Sequence, residues 1–142
     1  MKKLVLLPML LALLVVASVA MAAQPGSNVR GHGKVQIGDP ADVSVSQIVV
    51  NAWTDADGVH GTLEWTGGVG PDAVPPAVPW HMDVTSIDVT GNTATVCWVV
   101  VHSVFPGDIG ADGCFDFTDN RASGSPDTID GELIQAGNIV IG

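Results

Sequence analysis

The residues with the plainest capacity for chemistry in this chain are carboxylates set in turns. Asp55-Ala56-Asp57-Gly58 puts two oxygen donors ahead of a glycine, and Asp108 with Asp112-Gly113 forms a second acidic turn. Such groups can supply hard oxygen ligands to Ca2+. A calcium loop of the EF-hand kind needs an acidic residue at its first position, where Trp53 stands instead. Asp and Gly also form turns well on their own. Hairpin turns are therefore the simpler reading, with Asp55, Asp57, Asp108 and Asp112 as the candidate Ca2+ ligands and no other cofactor implied. Asp119, Asn120 and Asp127 make another acidic group with the same two readings.

Nucleophilic and transition-metal chemistry find less. His32, His60, His81 and His102 are far apart in sequence and lack any H-x-H spacing. As outward-facing strand residues they are ordinary surface histidines, though His60 shares a face with Glu64 and His81 with Asp83. There is no G-x-S-x-G, no H-E-x-x-H and no Asp-Thr-Gly, and the only glutamates are Glu64 and Glu132. Cys97 and His102 lie an odd number apart, so on one strand they face opposite ways. No catalytic residue is assigned. Trp53, Trp65, Trp80 and Trp98 would suit a sugar platform if exposed, but their place in alternating apolar runs predicts core packing.

These groups belong to a chain built for export. Lys2 and Lys3 supply a positive start, Leu4 to Ala17 an apolar run, and Ala20-Met21-Ala22 the small residues that signal peptidase prefers. Cleavage is expected after Ala22, or else after Ala20 with Ser18 in the small −3 position. The apolar run falls short of the roughly 20 residues of a membrane span, Pro8 interrupts it, and no Cys stands nearby to carry a lipid. Residues 1–22 are thus a signal helix and 23–142 one secreted, extracellular or periplasmic domain. The full chain carries a net charge of −10. Without Lys2 and Lys3, only Arg30, Lys34 and Arg121 oppose 15 carboxylates, so the mature charge is 3 − 15 = −12. That balance excludes nucleic acid and, once the signal is removed, anionic membranes as partners.

The elements that must position the candidate residues are strands. β-Branched residues dominate the mature apolar content, turn signals recur at short intervals, and a helical period is missing. Strands are expected at 29–37, 43–54, 59–66, 78–89, 93–104, 113–119, 127–134 and 138–141. The fold class is all-β, a single antiparallel sandwich or barrel of about eight strands. Asp57-Gly58 and Gly91-Asn92 are the tight turns. In the fourth strand Trp80, Met82 and Val84 are out of phase with Ile87 and Val89, which predicts a β-bulge near Thr85-Ser86. Gly67 to Ala77, rich in Gly and Pro, is expected to be a long exposed loop and the main interaction surface, together with the acidic hairpin turns.

The two cysteines follow from the same alternation. Ala94, Val96, Trp98 and Val100 face the core, so Cys97 faces out; Phe115 and Phe117 face the core, so Cys114 also faces out. Pairing 97 with 114 across adjacent antiparallel strands sets Val96 opposite Phe115 and Ala94 opposite Phe117. In an oxidising compartment this predicts a Cys97–Cys114 disulfide.

A pattern spread over most of the mature chain resembles short exported bacterial β domains of the post-COAP type. It runs through Gly31-His-Gly33, Asp55-Ala-Asp-Gly58, Val59-x-Gly-x-Leu-x-Trp65, Gly91-Asn-Thr-Ala94, Phe115-x-Phe-x-Asp-Asn120, Pro126-Asp-Thr128 and Gly137-Asn-Ile139. The resemblance implies a secreted antiparallel β fold and brings no activity with it. The chain departs from the pattern in its Pro-rich 67–77 loop and the positions of its cysteines. The expected function is a secreted, non-enzymatic module that binds an extracellular protein or glycan or plays a structural part. The alternatives are a secreted hydrolase with a non-local active site and a small-ligand-binding β-barrel.

Overall fold

The computed structural model describes residues 26–37, 44–67 and 79–142. The signal segment 1–22 and residues 68–77 of the expected interaction loop lie outside them.

Eight strands form: β1 (Asn28–Ile37), β2 (Ser44–Asp55), β3 (Gly58–Thr66), β4 (Pro79–Thr90), β5 (Thr93–His102), β6 (Asp112–Thr118), β7 (Thr128–Ile129) and β8 (Glu132–Ile141). Each pairs antiparallel with the next, and β1 pairs with β8, which closes the sheet into a barrel. Of the two expected architectures it is the barrel. An up-and-down order has two ends. β1, β3, β5 and β7 finish at what we call the upper end; the hairpins after Asp55 and Thr90 and the chain terminus lie at the lower end.

Alternation along each strand fills the interior. Ile48, Val50 and Ala52 of β2, Ala94, Val96 and Val100 of β5, and Phe117 of β6 are all buried. The bulge in β4 occurs as expected: the register with β5 shifts between Val84 and Ser86, and Met82, Val84 and Ile87 all reach the core. Hairpin β4–β5 turns at Gly91-Asn92, while β2–β3 turns at Ala56-Asp57 with Gly58 already paired to Asp55. Asp57-Gly58 is therefore one residue late as a turn.

Two further expectations need correcting. The segment 127–134 is not one strand. Asp130 and Gly131, at φ 49° and 81°, turn the chain between β7 and β8, the positive-φ pair that suits a two-residue hairpin. β8 then runs unbroken through Gly137, which is no turn. A Cβ at Gly137 would strike the His32 carbonyl and the Gly33 Cα of β1, so the glycine lets the closing strands approach. Trp53 is the other correction. It alternates with the buried Val50 and Ala52, so it lies on the outer face, 36% exposed and stacked on His60 at 5.6 Å.

Cys97 pairs with Cys114 in the β5–β6 register and forms the disulfide, with the Cα atoms 3.9 Å apart; Val96 faces Phe115 and Ala94 faces Phe117. The bridge stands on the outer face and closes a loop of sequence separation 17. Loops of this size constrain the unfolded chain by about 3 kcal/mol. A Cys97→Ser/Cys114→Ser double variant is expected to unfold at lower urea with a loss of that order, and equal midpoints for the two proteins would contradict it.

Candidate functional site

The acidic turns come first. Asp55 accepts the Asp57 N–H (2.8 Å) and pairs with His60 Nε2 (3.0 Å). These bonds, the backbone one foremost, hold its carboxyl below the usual range. Asp108 accepts from Ser103 Oγ (3.1 Å), which itself accepts the Phe105 N–H (3.1 Å), so this carboxylate ties down the β5–β6 loop. Asp112 opens β6 and is exposed. Asp55 and Asp57 sit at the lower end and Asp108 and Asp112 at the upper, so the four do not form one site. Among the described residues no group of three or more His, Cys, Asp or Glu side chains is arranged to hold a metal ion.

Asp119 and Asp127 do something the sequence did not suggest. β7 is two residues long, so the lower half of β8 has no strand on that side. The two buried carboxylates take its place. Asp127 accepts the N–H groups of Ile139 and Asn120, both at 2.7 Å. Asp119 accepts the Ile141 N–H at 3.4 Å and is gripped by Arg121 through Nη2 (2.6 Å) and Nε (2.9 Å). Buried carboxylates satisfied in this way stabilise the fold. A recess of about 500 Å³ lies here, lined by Asn92, Asp119 and Arg121. Its charged side chains are paired with each other, which makes it a structural feature.

The histidines are on the outer surface. His81 lies beside Glu64 (Nδ1 to Oε1, 3.3 Å) and its ring is 5.6 Å from that of His102, the three residues lying in one cross-strand row.

The upper end is different in kind. Inward positions that carry aliphatics lower down here carry Trp65, Trp80, Trp98 and Phe115, all half-buried against the core. Phe115 lies between Trp65 (5.3 Å, 21° between planes) and Trp98 (5.2 Å, 33°), with its edge to Phe117. Gly113 lets the Trp98 ring lie flat on β6; a Cβ there would come within 2.9 Å of it. Together with Val35, Ile129, Asp130 and Glu132 these rings line a recess of about 510 Å³. Among the described residues the Trp98 indole N–H is the one buried side-chain polar atom with no hydrogen-bond partner. Such a group costs about 1–3 kcal/mol, and its usual explanation is a missing acceptor.

The recess escaped sequence reasoning, although a signal existed. Trp65, Trp80 and Trp98 were each assigned inward positions on consecutive strands, and the hairpin register places Trp65 opposite Trp80. Reading 127–134 as one strand hid the turn that brings Asp130 and Glu132 to the same rim. Comparison with protein-family models, curated proteins and solved structures finds no match.

The Arg121 contact sets the acid response. Its guanidinium lowers the Asp119 carboxyl below its ordinary 3.8. A depressed folded pKa gives stability that is complete above the unfolded value and is lost as pH falls through the folded one. Asp119→Asn is expected to destabilise the protein at pH 7 by about 1–3 kcal/mol and to flatten the fall in stability below pH 3.8. A variant whose urea midpoint still falls as steeply as the parent's between pH 4 and pH 2 (about the window of carboxylate titration) would contradict this account.

Proposed function

We propose that this chain is an exported, non-enzymatic binding protein that takes one small, largely apolar ligand into the aromatic recess at the upper end of its barrel. The observation that carries the reading is the recess of about 510 Å³ lined by Trp65, Trp80, Trp98 and Phe115, one of which, Trp98, keeps an indole N–H without a partner. Eight-stranded barrels are just wide enough to be filled or to hold one small ligand. Apolar cavities of this size with a few polar groups are the usual form of small-molecule sites. The ligand stacks on the indoles and offers an oxygen acceptor to Trp98.

Export is supported by the signal-like start, the disulfide and the acidic mature charge. The resemblance to post-COAP domains, with a secreted fold and no attached activity, agrees with it. Among the described residues the exposed strand positions include Gln47, Asn51, Thr62, Asp83 and Asp88, polar side chains where a membrane barrel carries its apolar band.

The test is a fluorescence titration in a Trp53→Phe background, which removes the outer indole, against a panel of aromatic and aliphatic small molecules carrying one carbonyl or hydroxyl oxygen. Saturable quenching is expected for part of the panel. The hits should weaken by about tenfold in Trp98→Phe, the equivalent of one hydrogen bond. A panel without a saturable response, or hits unaffected by Trp98→Phe, would contradict the proposal.

A further inference from the structure

The polar groups at the rim say more about the ligand than its size. We infer that the upper recess selects an organic cation, an amine or quaternary ammonium on an apolar body, by the joint action of two carboxylates and the aromatic faces. This inference rests on the reading of the recess as a ligand site.

Among the described residues, Asp130 and Glu132 are the charged side chains that line the recess. Asp130 is held in place: it exchanges hydrogen bonds with Asp116, its Oδ1 accepting the Asp116 N–H at 2.7 Å and its own N–H donating to the Asp116 carbonyl at 2.8 Å. Its Oδ2 and the whole Glu132 carboxylate have no protein partner among the described residues. The same recess is lined by Trp65, Trp80 and Trp98, and aromatic π-systems are negative above the ring and attract ammonium groups. Both features point to the same charge.

No lysine or arginine among the described residues lines the recess. Of the three cationic residues of the mature chain, Arg30 and Lys34 project from the outer face of β1, exposed, and Arg121 is bound to Asp119 at the lower end. The mature chain's −12 adds a field that draws cations to the mouth and repels anions. The Trp98 N–H adds the remaining demand, an acceptor oxygen on the same molecule. A ligand with an apolar body, a carbonyl or ether oxygen and a cationic head meets all three conditions.

Three probes of similar size separate the terms: benzoylcholine, its uncharged carbon isostere 3,3-dimethylbutyl benzoate, and the anion hippurate. Titrated into the mature protein at low ionic strength, benzoylcholine is expected to bind about tenfold more tightly than the neutral ester, the ratio expected of a partly desolvated cation–π and rim-charge contribution. Hippurate should not bind measurably. The ratio of the first two affinities should fall toward one in Glu132→Gln, and also at roughly 0.5 M salt, where exposed charges are screened. A second variant, Asp130→Asn, should act in the same direction. Equal affinities for benzoylcholine and the neutral ester would overturn the cation inference and leave the recess as a ligand site. A ratio unmoved by Glu132→Gln would overturn the role of the rim. If none of the three binds, the recess reading itself fails.

Discussion

Closure of the sheet between β1 and β8 is the constraint on which the rest of this structure depends. Two features make it work. Gly33 faces Gly137 across the seam, where a side chain at either would strike the opposite strand. The short β7 leaves half of β8 without a strand neighbour on the side away from β1, and Asp119 and Asp127 accept the N–H groups that a longer strand would have engaged. Backbone groups in a barrel interior or along its closing edge are expensive to leave unpaired. These carboxylates are therefore part of the sheet in all but name, and Arg121, one of very few cations in the mature chain, is spent on holding one of them.

Once the sheet closes, every strand's inner face looks into one space, and what fills that space decides what the barrel can do. The middle and lower parts are occupied by branched aliphatics and Phe117, fully buried. The upper part is occupied by three tryptophans and Phe115, which pack on the layer below yet leave a cavity among themselves. Indoles are large and rigid, and their stacking on Phe115 through a glycine at position 113 sets their planes. The result is a preformed aromatic recess with one buried donor and two carboxylates at its mouth. The disulfide spans β5 and β6, the strands that carry Trp98 and Phe115, and ties that wall together from outside.

Much of this was legible because strand alternation has a period of two and each slip is visible. The Val84–Ser86 bulge, the Cys97–Cys114 pairing and the opposition of Val96 to Phe115 all follow from which residues must face inward. What alternation cannot show is closure. A sandwich and a barrel present the same inward residues, and the β1–β8 pairing joins positions a hundred residues apart. The same local reading made Gly137 look like a strand boundary, when its missing side chain serves a close approach. It left Asp119 and Asp127 with two readings, turn formers or oxygen ligands, and could not show that their carboxylates accept the N–H groups of Asn120, Ile139 and Ile141. Trp53 was misplaced for a simpler reason: Val50 and Ala52 had already set the inward phase of β2.

The central claim, that the aromatic mouth is a ligand site and the rest of the barrel is scaffold, is tested most directly by the four indole N–H signals in a two-dimensional 1H–15N NMR spectrum. With a bound small molecule, the account predicts a large shift of the Trp98 indole signal as its N–H gains an acceptor, smaller shifts for Trp65 and Trp80, and an unmoved signal for Trp53 on the outer face. A Trp98 signal that stays in place while Trp53 moves would contradict it.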